Sequence, residues 1–450
     1  MCRKVQAAFE EGKSSLHFKI WPPFADRHVV RFALKCVYLP IRVRPPSESS
    51  LHPLLPHPFR KPAMTIPYGK QTISEADIQA VVSVLQSDFL TQGSRVPAFE
   101  QALADYCGAQ HAVAVCNATA ALHLACLALG LGPGDLLWTT PTTFVASANC
   151  ALYCGADVDF VDIDPQTWNL SPDALAEKLA RAKAAGRLPK VLVAVHLCGE
   201  PCDMVAIKWL ADEYGVAVIE DASHAVGARY RGGAVGGGQY SDITVFSFHP
   251  VKIITTGEGG MCLTNRADLA YKIALLRSHG ITRNADEMEG GSDGAWYYQQ
   301  IDLGFNYRMT EMQAALGLSQ LQRLNEFVAR RHVLAAQYDA LLADLPVGLP
   351  FRHPDNRSAL HLYPVLVPAQ HRNRIFNALR ANGIGVNVHY IPVHTQPYYR
   401  KRFGFAKGDF PNAERYYAQA VSLPMYFSLS DEEQRFVADA LRQALQEAAA

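Results

Sequence analysis

From Ser74 onward, apolar residues recur alternately at helical spacing and in short unbroken runs. Ser74 followed by Ala76 to Gln86 predicts a capped amphipathic helix, with Ser74 and Asp77 at capping-box spacing. Val96 to Tyr106 predicts a second helix, ended by Gly108. Ala112 to Cys116 reads as a buried strand, and Ala118 to Leu129 as a helix stopped by Gly130 and the turn Gly132-Pro133-Gly134-Asp135. The alternation continues with strands at Leu136 to Thr140, Asp157 to Val161, Val191 to Val195 and Val216 to Glu220. Helices are predicted between them at Thr143 to Tyr153, Pro172 to Ala185 and Met204 to Tyr214, and two further strands at Ile243 to Phe248 and Gly260 to Thr264. Short apolar strands separated by helices predict an α/β fold with a mostly parallel sheet covered on both faces. Ligands of such sheets bind at the carboxyl ends of the strands.

Later in the chain the texture changes. A long helix is predicted over Met309 to Leu341, then a strand at His361 to Val367, a helix at Gln370 to Asn382, a strand at Gly385 to Tyr390 and a last helix after Ser430. The expected organisation is a tail over residues 1–63, a large domain over 64–325 and a smaller α+β domain over 326–450. The tail holds eleven Lys or Arg against four Asp or Glu, and nine of the 27 prolines. It lacks a signal-peptide h-region, and its acidic residues argue against a transit peptide. It reads as an irregular basic segment, or as sequence translated from a start codon placed too early.

Composition narrows the function. Lys plus Arg equals Asp plus Glu at 42 each, which gives no reason to expect nucleic acid or an anionic membrane as partner. No apolar run reaches the roughly 18 residues of a membrane span. The ten cysteines lie mostly in apolar runs, as reduced buried thiols do. Cys198 and Cys202 lack a second pair, and His389 and His394 lack a nearby third ligand, so no metal site is expected. The histidines are assigned to substrate contacts or structure. The glycines Gly232-Gly233 and Gly236 to Gly238 lack nucleotide-binding spacing and read as a turn.

Four segments carry candidate chemistry. Asp221 follows the apolar run Val216 to Glu220, where a carboxylate enters the ligand crevice. It could cap a helix; it could also pair with a cationic ring nitrogen, as a pyridoxal cofactor requires. Ser247 ends another apolar run, with Lys252 five residues on among apolar, small and hydroxylic neighbours. A lysine in such surroundings can have the lowered pKa that a Schiff-base amine requires, and Ser247 can hydrogen-bond a phosphate. Asn117-Ala118-Thr119 opens an Ala-rich helix, where free N–H groups and the helix dipole favour an anion; simple capping by Asn117 is the plain alternative. Phe144, after a strand, is suited to stacking on a planar ring or to core packing.

In order along the chain, Leu90-Thr-Gln-Gly93, Asn117-Ala-Thr-Ala-Ala-Leu122, Pro141-Thr-Thr-Phe144, His196-Leu-Cys-Gly199, Glu220-Asp221-Ala-Ser-His224, Ser247-Phe-His-Pro-Val-Lys252, Thr256-Gly-Glu-Gly-Gly260 and Gly304-Phe-Asn306-Tyr-Arg308 resemble the DegT/DnrJ/EryC1 family of sugar aminotransferases. The resemblance covers roughly residues 65–448. It implies the fold type I of pyridoxal 5′-phosphate (PLP) enzymes, and a cytoplasmic homodimer with shared active sites. It also implies roles. Lys252 binds the cofactor covalently and carries the proton; Asp221 pairs with the ring nitrogen. Ala118, Thr119 and Ser247 hold the phosphate, with Asn306 reaching in from the second subunit. Phe144 stacks on the ring and His224 lies near its 3′ oxygen. One branch is similar at Pro67-Tyr68-Gly69, at His224 (where most relatives carry Gln), at His361-Leu-Tyr-Pro364 and at Val388-His389-Tyr390. That branch transfers an amino group from L-glutamate to C4 of UDP-4-keto-6-deoxy-L-AltNAc in pseudaminic acid biosynthesis, which implies Tyr68, His389 and Tyr390 as substrate contacts. Another UDP- or dTDP-linked keto-sugar is the alternative substrate. A sugar dehydratase on this scaffold has histidine in place of the lysine, and a PLP-binding regulator carries an N-terminal helix-turn-helix; Lys252 and the proline-broken tail count against both.

Overall fold

The continuous apolar runs become the strands of one seven-stranded sheet. They are β1 (His111–Val115), β2 (Leu136–Thr139), β3 (Asp157–Phe160), β4 (Val191–Val195), β5 (Ala217–Asp221), β6 (Ile243–Ser247) and β7 (Gly260–Thr264). Their spatial order is β1-β7-β6-β5-β4-β2-β3. Neighbours from β3 through β6 run parallel, whereas β7 runs antiparallel to both β6 and β1. This computed structural model describes residues 65–449, so the expectations for residues 1–63 lie outside the described residues.

Strand β4 shows why the runs are unbroken. Val191, Val193 and Val195 point into one core with Leu122 and Leu124. Leu192 and Ala194 point into another with Leu175, Leu179, Ile207 and Leu210. Alternate residues face opposite sides, and both sides are covered. The covering helices are α1 (Glu75–Leu85), α2 (Arg95–Cys107), α3 (Ala118–Ala128), α4 (Ala146–Tyr153), α5 (Pro172–Ala184), α6 (Met204–Tyr214), α7 (Ala267–Arg277) and α8 (Glu311–Leu321).

Two start signals behave as the spacing predicts. The Ser74–Asp77 capping box is formed. The Asp77 carboxylate also accepts from Ser319 Oγ and Gln320 Nε2, both at 2.7 Å, which ties α1 to α8. Helix α2 lacks a side-chain cap of its own; the buried Glu311 provides one, accepting from Arg95 N at 2.6 Å.

Other boundaries differ. The helix predicted over Met309 to Leu341 is two helices, α8 and α9 (Leu324–Leu342). The Thr310–Gln313 capping box starts the first at Glu311, and the backbone leaves helical geometry at Arg323. No Pro or Gly marks the break, so apolar periodicity ran through it. The helix predicted from Thr143 begins at Ala146, because Thr143 Oγ1 instead bonds Ser147 Oγ at 2.8 Å ahead of the first turn. The strand predicted at Gly385 to Tyr390 forms only an isolated bridge, Asn387 to Ser422.

The place beside β8 (Tyr363–Leu366) is taken by β9 (Ala420–Leu423), paired antiparallel from Tyr363 opposite Leu423. Strands β8 and β9, helix α9, α10 (Arg372–Ala381) and α13 (Asp431–Ala449) share a further core that also holds Ile66. Short helices α11 (Pro397–Phe403) and α12 (Pro411–Gln419), both with Pro in the first turn, lie between α10 and β9. Of the described cysteines, Cys116 is partly buried and the others are buried; all are free thiols.

Candidate active site

A cavity of about 560 Å³ opens at the carboxyl edge of the sheet. It brings together Tyr68, Ala118, Thr119, Phe144, Asp221, His224, Ser247, Lys252, His389 and Tyr390, ten of the residues singled out from sequence. Asn306 is not among the lining residues; it is exposed, on a segment tied to Ser278 by an isolated bridge.

Strand ends set the positions. Asp221 is the last residue of β5 and Ser247 the last of β6. Because β7 runs the other way, its first residue, Gly260, lies opposite both Ser247 and Val115. A Cβ on Gly260 would stand 2.6 Å from Ala118 N and from Asn117 C, so only glycine lets β7 pass against the start of α3. There Asn117 Oδ1 caps Ala120 N at 2.9 Å. The N–H groups of Ala118 and Thr119, in the same first turn, make no hydrogen bond among the described residues. Asn117 therefore does cap, and two free donors at a positive helix end remain beside the Thr119 and Ser247 hydroxyls.

Asp221 does not cap a helix. Its Oδ1 accepts from Ser223 N at 3.1 Å and Ser223 Oγ at 2.6 Å, and its Oδ2 from Ser147 Oγ at 2.6 Å. These donors to both oxygens fix a buried carboxylate at the cavity wall. Lys252, partly buried in the loop between β6 and β7, makes no side-chain hydrogen bond among the described residues. Burial pushes its amine down to about 8, and the Asp221 carboxylate only partly opposes this. The lowered value expected from its apolar neighbours is thus met for the expected reason. Phe144 sits on the loop before α4, 58% exposed, its ring tilted by 55° to that of Tyr390 at 6.2 Å between centroids.

The wall opposite is built of uncharged groups. His224 Nδ1 accepts from Cys198 N at 3.2 Å, which assigns its proton to Nε2. Nε2 is 3.0 Å from Tyr390 Oη, so Tyr390 accepts there and its own hydrogen is free for the cavity. Burial, then the charge of Lys252, holds His224 well below the usual imidazole range. The same two causes push His389 down to about 3. Burial raises the Tyr390 phenol, which stays protonated. His389 bonds Ser422 Oγ at 2.8 Å. His394, by contrast, is fully buried against Glu414 at 3.1 Å and serves structure.

Ser147, Ser223 and His361 belong to this site; Ser223 and His361 fall within matched motifs, but none of the three is assigned a role from sequence. Ser147 lies four residues after Thr143, one helical turn, but nothing in one sequence ties it to Asp221, 74 positions away. His361 comes from the segment before β8, which no local pattern links to the sheet edge.

The DegT/DnrJ/EryC1/StrS aminotransferase family matches residues 71–442. The spore coat polysaccharide biosynthesis protein SpsC of Bacillus subtilis is 42% identical over 385 residues, 84% of this chain and 96% of that protein. The UDP-4-amino-4,6-dideoxy-N-acetyl-beta-L-altrosamine transaminase of Campylobacter jejuni is 37% identical over 380 residues, 84% of this chain and 96% of its own length. Among solved structures, Helicobacter pylori PseC, an aminotransferase involved in the biosynthesis of pseudoaminic acid, superposes with a TM-score of 0.77. It is 31% identical, with 85% of this chain and all of that one covered. No helix among the described residues is long and apolar enough to cross a membrane.

Proposed function

The chain belongs to the DegT/DnrJ/EryC1/StrS aminotransferase family, and from that premise we propose that it transfers an amino group from L-glutamate to C4 of UDP-4-keto-6-deoxy-L-AltNAc. One observation carries the amino-transfer part of this reading: a lysine, a carboxylate hydrogen-bonded through both oxygens and an anion cradle face a single cavity. That donor set suits pyridoxal 5′-phosphate, and a structural neighbour is a PLP form. Two helix N–H groups with the Thr119 and Ser247 hydroxyls suit a phosphate dianion. Asp221 suits a protonated pyridine nitrogen, and Phe144 a flat ring face. The cofactor supplies an electron sink for the carbon that gains or loses the amine.

The chain's own residues do the rest. Lys252 Nζ, with a pKa near 8, is available as a neutral amine in a useful fraction near neutral pH. It attaches the cofactor and, once displaced, holds or delivers the proton at the reacting carbon. Asp221 stays fixed through Ser147 and Ser223, so it need not reorganise as charge develops. His224, neutral and tethered to Cys198, orients Tyr390 toward the substrate. Exposed Asn306 completes the phosphate site of a second subunit, which makes the homodimer the working unit.

The SpsC likeness favours a second reading, in which the acceptor is another nucleotide-linked 4-keto-sugar. Mass spectrometry of purified protein incubated with L-glutamate and a panel of UDP- and dTDP-4-keto-6-deoxy sugars separates the two. Amination of the UDP-L-AltNAc ketone alone supports the first; amination of a different sugar in its place refutes it. No amination of any sugar removes the enzyme reading.

A further inference from the structure

His361 lines the cavity although it is only 4% exposed. Its Nδ1 is enclosed and has no hydrogen-bond partner. Its Nε2 also makes no hydrogen bond among the described residues, and it is not enclosed, so it is the nitrogen open to the cavity. An enclosed N–H without an acceptor is rarer in proteins than an enclosed lone pair without a donor. The proton therefore belongs on Nε2. The ring packs against that of His224, tilted by 47° with centroids 4.5 Å apart. Burial and the neighbouring His224, Lys252, Arg331 and His389 all hold it below the usual imidazole range.

Behind His361 stands an arginine that the reaction does not use. Arg331 is 3% exposed and has no acidic partner among the described residues. Its Nη1 donates to Leu360 O and His361 O, both at 3.0 Å, and to Met425 O at 3.1 Å. Leu360 has a φ of +51°, a conformation that a branched side chain rarely adopts. Cys198 O accepts from His361 N at 2.8 Å, and Met425 N donates to Tyr68 O at 3.0 Å. One buried cation thus fixes the carbonyls of the segment bearing His361 and of the segment that holds Tyr68.

Resting on the aminotransferase reading, we propose that His361 is a substrate-contacting residue whose Nε2–H donates to an oxygen acceptor, and that Arg331 is its positioning residue. The acceptor is a carboxylate oxygen of the amino donor or a hydroxyl or carbonyl oxygen of the keto-sugar. The two sources meet the enzyme in separate half-reactions, so they can be told apart.

The experiment uses the PLP-loaded protein with L-glutamate, and separately the amine-loaded protein with the keto-sugar, for wild type, His361→Leu and His361→Gln. His361→Leu should raise KM about tenfold in one half-reaction with the cofactor absorbance intact; His361→Gln, whose amide reaches the Nε2 position, should recover most of it. An effect with glutamate assigns the carboxylate, and an effect with the sugar assigns a sugar oxygen. Arg331→Lys should raise the same KM about threefold and add nothing in the double variant with His361→Leu. Wild-type KM in both half-reactions of His361→Leu, or equal loss in His361→Gln, overturns the donor assignment. Additive effects overturn the role of Arg331. An inactive wild type would count against the aminotransferase reading and this inference together, whereas an active wild type beside an unaffected His361→Leu counts against His361 alone.

Discussion

The two walls of the cavity differ in kind. The sheet wall carries its ions: Asp221 and Lys252 face the same space, with Ser247 and the start of α3 beside them. The wall from the later part of the chain brings His361, His389 and Tyr390, all held uncharged, two of them by burial together with the charge of Lys252 itself. A charge placed opposite Lys252 would compete for it. Neutral donors and acceptors can grip a polar sugar without disturbing the amine's protonation. Under the proposed reaction the contrast is a division of labour: the sheet reacts, and the facing wall recognises.

The sharpest way to break that division is to remove the reactive amine. Lys252→Ala should lower turnover by about four orders of magnitude, since the attachment point and the proton carrier go together. Steady-state assays would show it, and wild-type turnover would end the assignment. Asp221→Asn should retain the cofactor but slow turnover by about two to three orders of magnitude, because the amide cannot balance a pyridinium. Cofactor absorbance read alongside turnover separates those effects.

A third expectation follows from the Lys252 amine at about 8. Below that value the protonated, unreactive form dominates. Cofactor capture by the cofactor-free protein should therefore quicken about tenfold per pH unit up to about 8 and level off above it. Stopped-flow absorbance measures this, and a plateau that begins near 10 would mean that the burial effect is absent in solution. The same shift affects stability in a definite direction. The folded chain binds fewer protons here than the unfolded chain, so this group's penalty eases as pH rises from about 8 toward its ordinary value of 10.5.

The proposed homodimer adds a third contributor, the exposed Asn306. Mixing Lys252→Ala with Asn306→Asp protein, each inactive alone, should restore about a quarter of wild-type activity after subunit exchange, because half the dimers are mixed and each has one intact site. No recovery despite confirmed exchange would put Asn306 outside the site. The smallest effect is expected on the recognising wall. Tyr390→Phe should raise the sugar KM by about threefold to tenfold with kcat little changed, as loss of one neutral hydrogen bond does. A fall in kcat like that of Asp221→Asn would erase the distinction between the walls.

The sheet wall was far more legible in sequence than the facing one. Asp221 and Ser247 end apolar runs, and the rule that ligands gather at strand ends points to them without tertiary knowledge. Periodicity also found the strands of the sheet, because both faces are buried and each strand is a continuous run. It misjudged Gly385 to Tyr390, where Asn387 and His389 bond each other, His389 also bonds Ser422, and the segment lines the cavity without a strand partner on each side. The short helices α11 and α12, and α7, lay outside the reading altogether. Ser147 and His361 act through contacts remote in sequence, for which composition and spacing carry no signal.

The reversal of β7 has a mechanical consequence. Ser247 and Gly260 are paired on neighbouring strands of the sheet, so the loop that carries Lys252 is clamped at both ends by that sheet. Amide hydrogens at the roots of that loop should exchange with solvent only when the sheet opens. Protein engineers would meet the same fact as a length limit. Residues added between Ile253 and Gly259 cannot be absorbed by sliding either root, and would have to bulge where the substrate binds.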